Sequence, residues 1–133
     1  MKKLLIIAIM IFGATLFAQK PHTKILKITH KLSCKRNGFQ LMLKNVTNDS
    51  RCPEGVTCVW AGEVTAVVSV YKNKKFIEDD SLVISSQHIK ENKEWFLKYL
   101  GLKNISNIQI FPYPQNGITI NEKEYCIKIE YLK

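Results

Sequence analysis

The sequence predicts a mainly β fold: a two-layer antiparallel β-sandwich of immunoglobulin-like architecture with one short helix. Three observations carry that prediction. Short runs of alternating apolar and polar residues recur between residues 24 and 132, separated by turn-forming Asn, Gly and Pro. Seven or so short strands with turn signals between them suit two packed sheets. One segment alone, 87–100, changes to helical spacing.

Residues 24–32 alternate imperfectly and read as a first strand. Asn37-Gly38 is a hairpin turn signal, and residues 39–43 read as the second strand. Asn48-Asp49-Ser50 breaks the chain. Residues 64–71 are the strongest strand, with Val64, Ala66, Val68 and Val70 on one face and Thr65, Val67, Ser69 and Tyr71 on the other. Both faces are mildly apolar, as in a central strand. Asn73 turns the chain and Phe76-Ile77 begins the return. Asp79-Asp80 reads as a solvated turn, and residues 82–84 as another short strand.

In the segment 87–100, Trp95 and Tyr99 are four residues apart, as are Phe96 and Leu100. That spacing puts an aromatic stripe on one helix face, turned to a core. Ser86 is placed to cap the start and Gly101 the end. Residues 107–111 are extended until Pro112 and Pro114 stop them, and residues 117–120 are short and extended. Residues 125–132 close the chain as a strand, with Tyr125, Ile127, Ile129 and Tyr131 on the core face.

The first residues carry a different signal. Lys2 and Lys3 precede an apolar run over residues 4–12, and Leu16-Phe17-Ala18 follows. These are the parts of a secretory signal peptide spanning residues 1–18. The alternative is an uncleaved anchor, but the segment is shorter than the roughly 20 residues a spanning helix needs. No cysteine stands at the cut to take a lipid. The expectation is an exported protein, periplasmic or secreted, with residues 19–133 forming a single disulfide-stapled β domain and no transmembrane span after cleavage.

Twenty Lys and Arg stand against eleven Asp and Glu, and removing Lys2 and Lys3 lowers the net charge from +9 to +7. An exported basic chain meets an anionic glycan or lipid surface, or a protein partner, rather than nucleic acid. The lysines are scattered rather than blocked, which solubility alone explains. No repeat, linker or low-complexity tract appears, and a monomer is expected.

Cysteines stand at 34, 52, 58 and 126. An even count in an exported chain implies two disulfides. Cys52 and Cys58 enclose five residues including Pro53 and Gly55, which suit a tight turn, so they are paired. Cys34 and Cys126 remain, and closing that long loop contributes about 4–5 kcal/mol in the chain-entropy model, against roughly 2 for the short one. Cys126 shares a strand phase with Lys128 and Glu130, so this second bond needs a bulge or strand end to form. The cysteine gaps lack the paired short spacings of a zinc site, and His22, His30 and His88 are isolated; neither metal nor cofactor is expected.

The segment 49–63 concentrates the candidate function. A disulfide-closed loop loses little entropy on binding. Arg51, Glu54, Trp60 and Glu63 are therefore the candidate binding residues, facing a protein or an anionic glycan. One version makes the protein a secreted protease inhibitor that presents Arg51 as bait. The competing structural role has Trp60 in the core, with Arg51 and Asp49 pinning the loop or Arg51 stacked on Trp60. A third expectation is a structural envelope protein without a specific ligand.

Catalysis is not expected. The histidines stand in unrelated contexts and no nucleophile-elbow motif occurs. Adjacent Asp79 and Asp80 point to opposite faces of a strand. Cys52 and Cys58 are too far apart for a Cys-x-x-Cys redox motif.

Asp49-Ser50-Arg51-Cys52-Pro53, Cys58-Val59-Trp60-Ala61-Gly62, Ile110-Phe111-Pro112-Tyr113-Pro114 and Tyr125-Cys126-Ile127 together resemble a family of small exported bacterial proteins of Bacteroidetes type. That family has no assigned activity, so the resemblance implies export and a β fold and nothing catalytic. Cys34, Cys126 and the segment 87–100 stand outside the shared pattern.

Overall fold

The computed structural model describes residues 21–33 and 35–133. The signal-type segment 1–18 and Cys34 lie outside the described residues. Six strands form two three-stranded antiparallel sheets: β1 (Thr23–Ile28), β6 (Cys126–Leu132) and β5 (Ile105–Phe111) in one, and β2 (Phe39–Asp49), β3 (Val64–Lys72) and β4 (Lys75–Ile84) in the other. Among the described residues one α-helix, α1 (Ile89–Leu100), carries the chain from the second sheet back to the first.

Alternation explains the layering. Val64, Ala66, Val68 and Val70 of β3 and Ile127, Ile129 and Tyr131 of β6 are buried in one continuous apolar core. Leu41 and Leu43 of β2 join them. A register shift between Leu43 and Asn45 then moves the phase of β2 by one residue, so that Val46 also packs against the core. The expected central strand is indeed central: β3 pairs with β2 on one side and β4 on the other.

Both tight turns follow from backbone chemistry. Asn37 (φ 48) and Gly38 (φ 82) join Arg36 to Phe39, and Asn73 (φ 50) and Lys74 (φ 65) join Lys72 to Lys75. Two consecutive positive φ angles are the signature of the hairpin turn whose twist matches its strands. The expected first strand is shorter than read, ending at Ile28. Beyond it the chain leaves β6 and runs beside β2, where Thr29 O accepts from Leu43 N and Ser33 N donates to Leu41 O.

Asp79-Asp80 is not a turn. Residues 75–84 form one unbroken strand, and its charges are absorbed by donors on both faces. Asp79 accepts from Lys44 Nζ and from Ser69 Oγ at 2.6 Å. Asp80 takes the Trp95 indole N–H at 2.7 Å, and Glu78 takes the Tyr99 hydroxyl. Residues 117–120 form no strand; only an isolated bridge joins Gln115 to Ile118. The described strands therefore number six.

The helix begins at Ile89, with His88 rather than Ser86 in the capping position and no side-chain cap. Ser85 Oγ lies 2.9 Å from His88 Nδ1. Gly101 ends the helix in the left-handed conformation and returns its N–H to Leu97 O. Phe96, Tyr99 and Leu100 are buried, and Trp95 packs 4.7 Å from Tyr99 between ring centroids. The aromatic stripe is core, as its spacing required.

The immunoglobulin likeness is one of architecture. The strand orders β1-β6-β5 and β2-β3-β4 place a simple meander in one layer and the first and last described strands side by side in the other.

Candidate functional site

The segment 49–63 is the far end of the β2–β3 hairpin. Past the last ladder pair, Asp49 with Val64, Ser50 N donates to Glu63 O at 2.9 Å and Cys52 N to Ala61 O at 3.0 Å. The hairpin thus continues two steps further before a loop closes it. The Cys52–Cys58 disulfide forms, with its Cα atoms 5.9 Å apart. The second expected bond, Cys34–Cys126, has one end outside the described residues; its other end, Cys126, carries a free thiol.

Arg51 is the anchor of this loop. Its guanidinium lies along the Asp49 carboxylate, with Nη2 2.6 Å from Oδ2 and Nε 2.8 Å from Oδ1. The same guanidinium donates to Ile110 O and to Pro112 O, and it stands 5.1 Å from the centre of the Tyr113 ring. The Arg51 side chain is 9 % exposed. It stacks on Tyr113, not on Trp60, and it offers no bait to a protease.

Asp49 is held as well by the Arg51 backbone N–H and by the Tyr125 hydroxyl at 3.0 Å. Burial raises the carboxyl pKa, but the Arg51 hydrogen bonds and charge, with the Tyr125 hydrogen bond, outweigh it, so Asp49 titrates below its ordinary value of 3.8. Burial, then the hydrogen bond to the Asp49 carboxylate, pushes the Tyr125 hydroxyl up to about 12. The loop is thereby fastened to both β5 and the start of β6.

Gly62 has a steric role. Its φ is +73°, and an added Cβ would stand 2.0 Å from Ser50 O. Ser50 Oγ in turn accepts from Glu63 N and donates to Glu63 O. Glu54 is exposed, and its backbone N–H donates to Pro114 O at 2.9 Å, making a short parallel bridge to Gln115. Asp49, Ser50, Arg51, Cys52, Cys58, Ala61 and Gly62 each therefore have an identifiable structural task.

Trp60 has none of these. It is 60 % exposed, and the neighbouring Val59 is fully exposed. This corrects the expectation of a Trp60 core: the indole anchored by packing is Trp95, on the helix. Of the four candidate binding residues, Trp60 and Glu54 face solvent, Glu63 is half-buried, and Arg51 is committed to holding the loop.

Beside the loop lies a cleft of about 320 Å³. Val64, Ile84 and Ile110 contribute its apolar floor, Ala61 and Gly62 one end, and Ile89 with Phe111 its exposed rim. Ile89, Phe111 and Tyr113 are site residues that the sequence did not single out. Tyr113 between two prolines was the available signal; Ile89 had none, because its exposure depends on where the helix starts.

Among the described residues, no group of three His, Cys, Asp or Glu side chains stands close enough to hold a metal ion, and no helix is long and apolar enough to cross a membrane. No protein-family model, curated protein or solved structure matches this chain.

Proposed function

We propose that this chain is an exported, non-catalytic binding module whose recognition element is the Cys52–Cys58 loop with Trp60. One observation carries the reading. In a loop where Asp49, Ser50, Arg51, Cys52, Cys58 and Gly62 are consumed by structure, a tryptophan and a valine are held out to water. Exposing an indole costs solvation free energy and contributes nothing to the fold. A partner surface is what recovers it, and tryptophan is the residue type most enriched among energetically dominant contacts. The Arg51–Asp49 clamp and the disulfide hold the loop rigid before any encounter, which lowers the entropy lost on binding.

Export rests on the basic and apolar segment at residues 2–18 and on the disulfide, which belongs in an oxidising compartment. The resemblance to small exported Bacteroidetes-type proteins points the same way. The basic surface favours retention on an anionic envelope, and salt sensitivity of that retention distinguishes it from a specific contact.

The test is capture from envelope and culture fractions by the wild type, Trp60→Ala and Arg51→Ala, with partners identified by mass spectrometry and thermal stability measured alongside. The reading requires that Trp60→Ala lose a saturable partner while keeping its melting temperature. A partner retained equally by Trp60→Ala refutes it.

A further inference from the structure

We infer that the cleft beside the loop takes an extended peptide segment of a partner protein, which adds as a strand to the free edge of β5. This inference rests on the binding-module reading and names the chemistry of its partner.

The edge itself supplies the argument. β5 pairs with β6 on one side only. Arg51 donates to Ile110 O and Pro112 O, so those carbonyls point away from β6. In a strand, one residue's N–H and C=O share a side and the side alternates, so Ile108 presents its backbone groups to the same free edge. Downstream, the protein already covers this edge with its own loop. The Arg51 guanidinium stands where a neighbouring strand would place its donors, and Glu54 N–H continues the row at Pro114 O. Upstream, no described strand takes that place: Ser106 through Phe111 form one wall of the 320 Å³ cleft.

A ligand that fits one strand's length, meets unpaired peptide groups along it and lies on an apolar floor is an extended chain. Such a chain gains affinity from its backbone bonds and selectivity from alternate side chains. Those side chains would meet Val64 and Ile84 below and Ile89 at the rim. Arg51 is the cleft's one charged lining residue, and Asp49 neutralises it. The docked stretch is therefore uncharged. Without residues 1–18 the chain carries a net +7, down from +9 for the full sequence, so acidic residues flanking that stretch complement its basic character.

The probe is a displayed library of random linear twelve-residue peptides, selected on the isolated full chain. Enriched peptides are synthesised with and without N-methylation at alternate residues, and binding is followed by amide NMR of the labelled protein. The expected result is alternating apolar peptides with acidic flanks that shift the amides of residues 106–110 and of Ala61 and Gly62 at the cleft. N-methylation in one of its two registers should weaken binding by about tenfold or more, because it removes the donors to the edge. Ile89→Glu, at an exposed position in the first helical turn, should weaken it comparably with an unchanged melting temperature.

Failure to enrich any peptide overturns the inference. So does equal binding in both N-methylated registers, or shifts confined to the outer face of β2–β4. A sulfated glycan that shifts the residue 106–110 amides while no peptide does also overturns it. If Trp60-dependent capture of an envelope partner persists in these cases, strand addition alone is lost; if that capture is absent too, the binding-module reading falls with it.

Discussion

The Tyr125 hydroxyl donates to Asp49 Oδ2 across 3.0 Å, joining residues 76 positions apart. This bond ties the start of the closing strand to the base of the disulfide loop, and Arg51 spans both oxygens of the same carboxylate, sharing Oδ2 with Tyr125. Three separate segments meet there: the end of β2, the end of β5 and the start of β6.

The cluster sets a pH dependence at both ends of the scale. Tyr125 has a raised pKa, so its contribution is complete below its ordinary value of 10.0 and is lost as pH rises toward about 12. Asp49 has a lowered pKa, so its contribution is complete above 3.8 and is lost as pH falls through its folded value. Urea unfolding of Tyr125→Phe should show a shallower alkaline decline than the wild type, and Asp49→Asn a shallower acid one. Parallel curves for variant and wild type would contradict the assignment.

Arg51→Ala should destabilise the domain by about 3–5 kcal/mol, because it strips the half-buried Asp49 carboxylate of its counter-charge, leaving it the Tyr125 hydroxyl and one backbone N–H, and takes the guanidinium donor from two β5-end carbonyls. Arg51→Lys should recover only part of that loss, since a point charge cannot span a carboxylate and two carbonyls at once. Denaturant midpoints at pH 7 decide both. A cost below 1 kcal/mol for Arg51→Ala would return Arg51 to the candidate ligand residues.

Gly62→Ala should cost more than about 3 kcal/mol, combining a left-handed backbone with a collision against Ser50 O. Gly55 also has positive φ but open space around it, so Gly55→Ala should cost only about 1 kcal/mol. Thermal melts of the pair isolate the steric component, and equal costs would mean that the Ser50 contact is not rigid.

The two tryptophans should part company. Trp60→Ala should move stability by no more than about 0.5 kcal/mol, as expected for an exposed side chain. Trp95→Ala removes packing against Phe96 and Tyr99 and the donor to Asp80, and should cost about 3–5 kcal/mol. Comparable losses for the two would place Trp60 back in the core.

Replacing both Cys52 and Cys58 with Ser should lower stability by about 2 kcal/mol, the loop-closure contribution of so short a ring. The cost should be independent of pH near neutrality, unlike that of the Asp49 cluster. Reductant titration followed by tryptophan fluorescence reads the transition, with Trp60 reporting on the loop.

Much of this was legible in the linear chain. The alternation of β3 and β6, the Asn37-Gly38 turn, the Trp95–Tyr99 spacing and the Cys52–Cys58 pairing are local properties. Each depends on residues within a few positions of one another, so each could be read before any long-range contact was known. Asp79-Asp80 was misread for the converse reason. Two adjacent carboxylates look like a turn unless Lys44, Ser69 and Trp95 are known to wait on either face.

What the sequence by itself determined is therefore the period of β3, β6 and the helix, the turns at Asn37-Gly38 and Asn73, and the short covalent ring. Tertiary structure alone decided the roles inside the segment 49–63. Arg51 could have faced water and Trp60 the core. The choice went the other way because the end of β5 brought two carbonyl oxygens and a tyrosine ring to Arg51, from about sixty residues away in sequence. A buried guanidinium needs that many partners, and only the assembled sheets supply them.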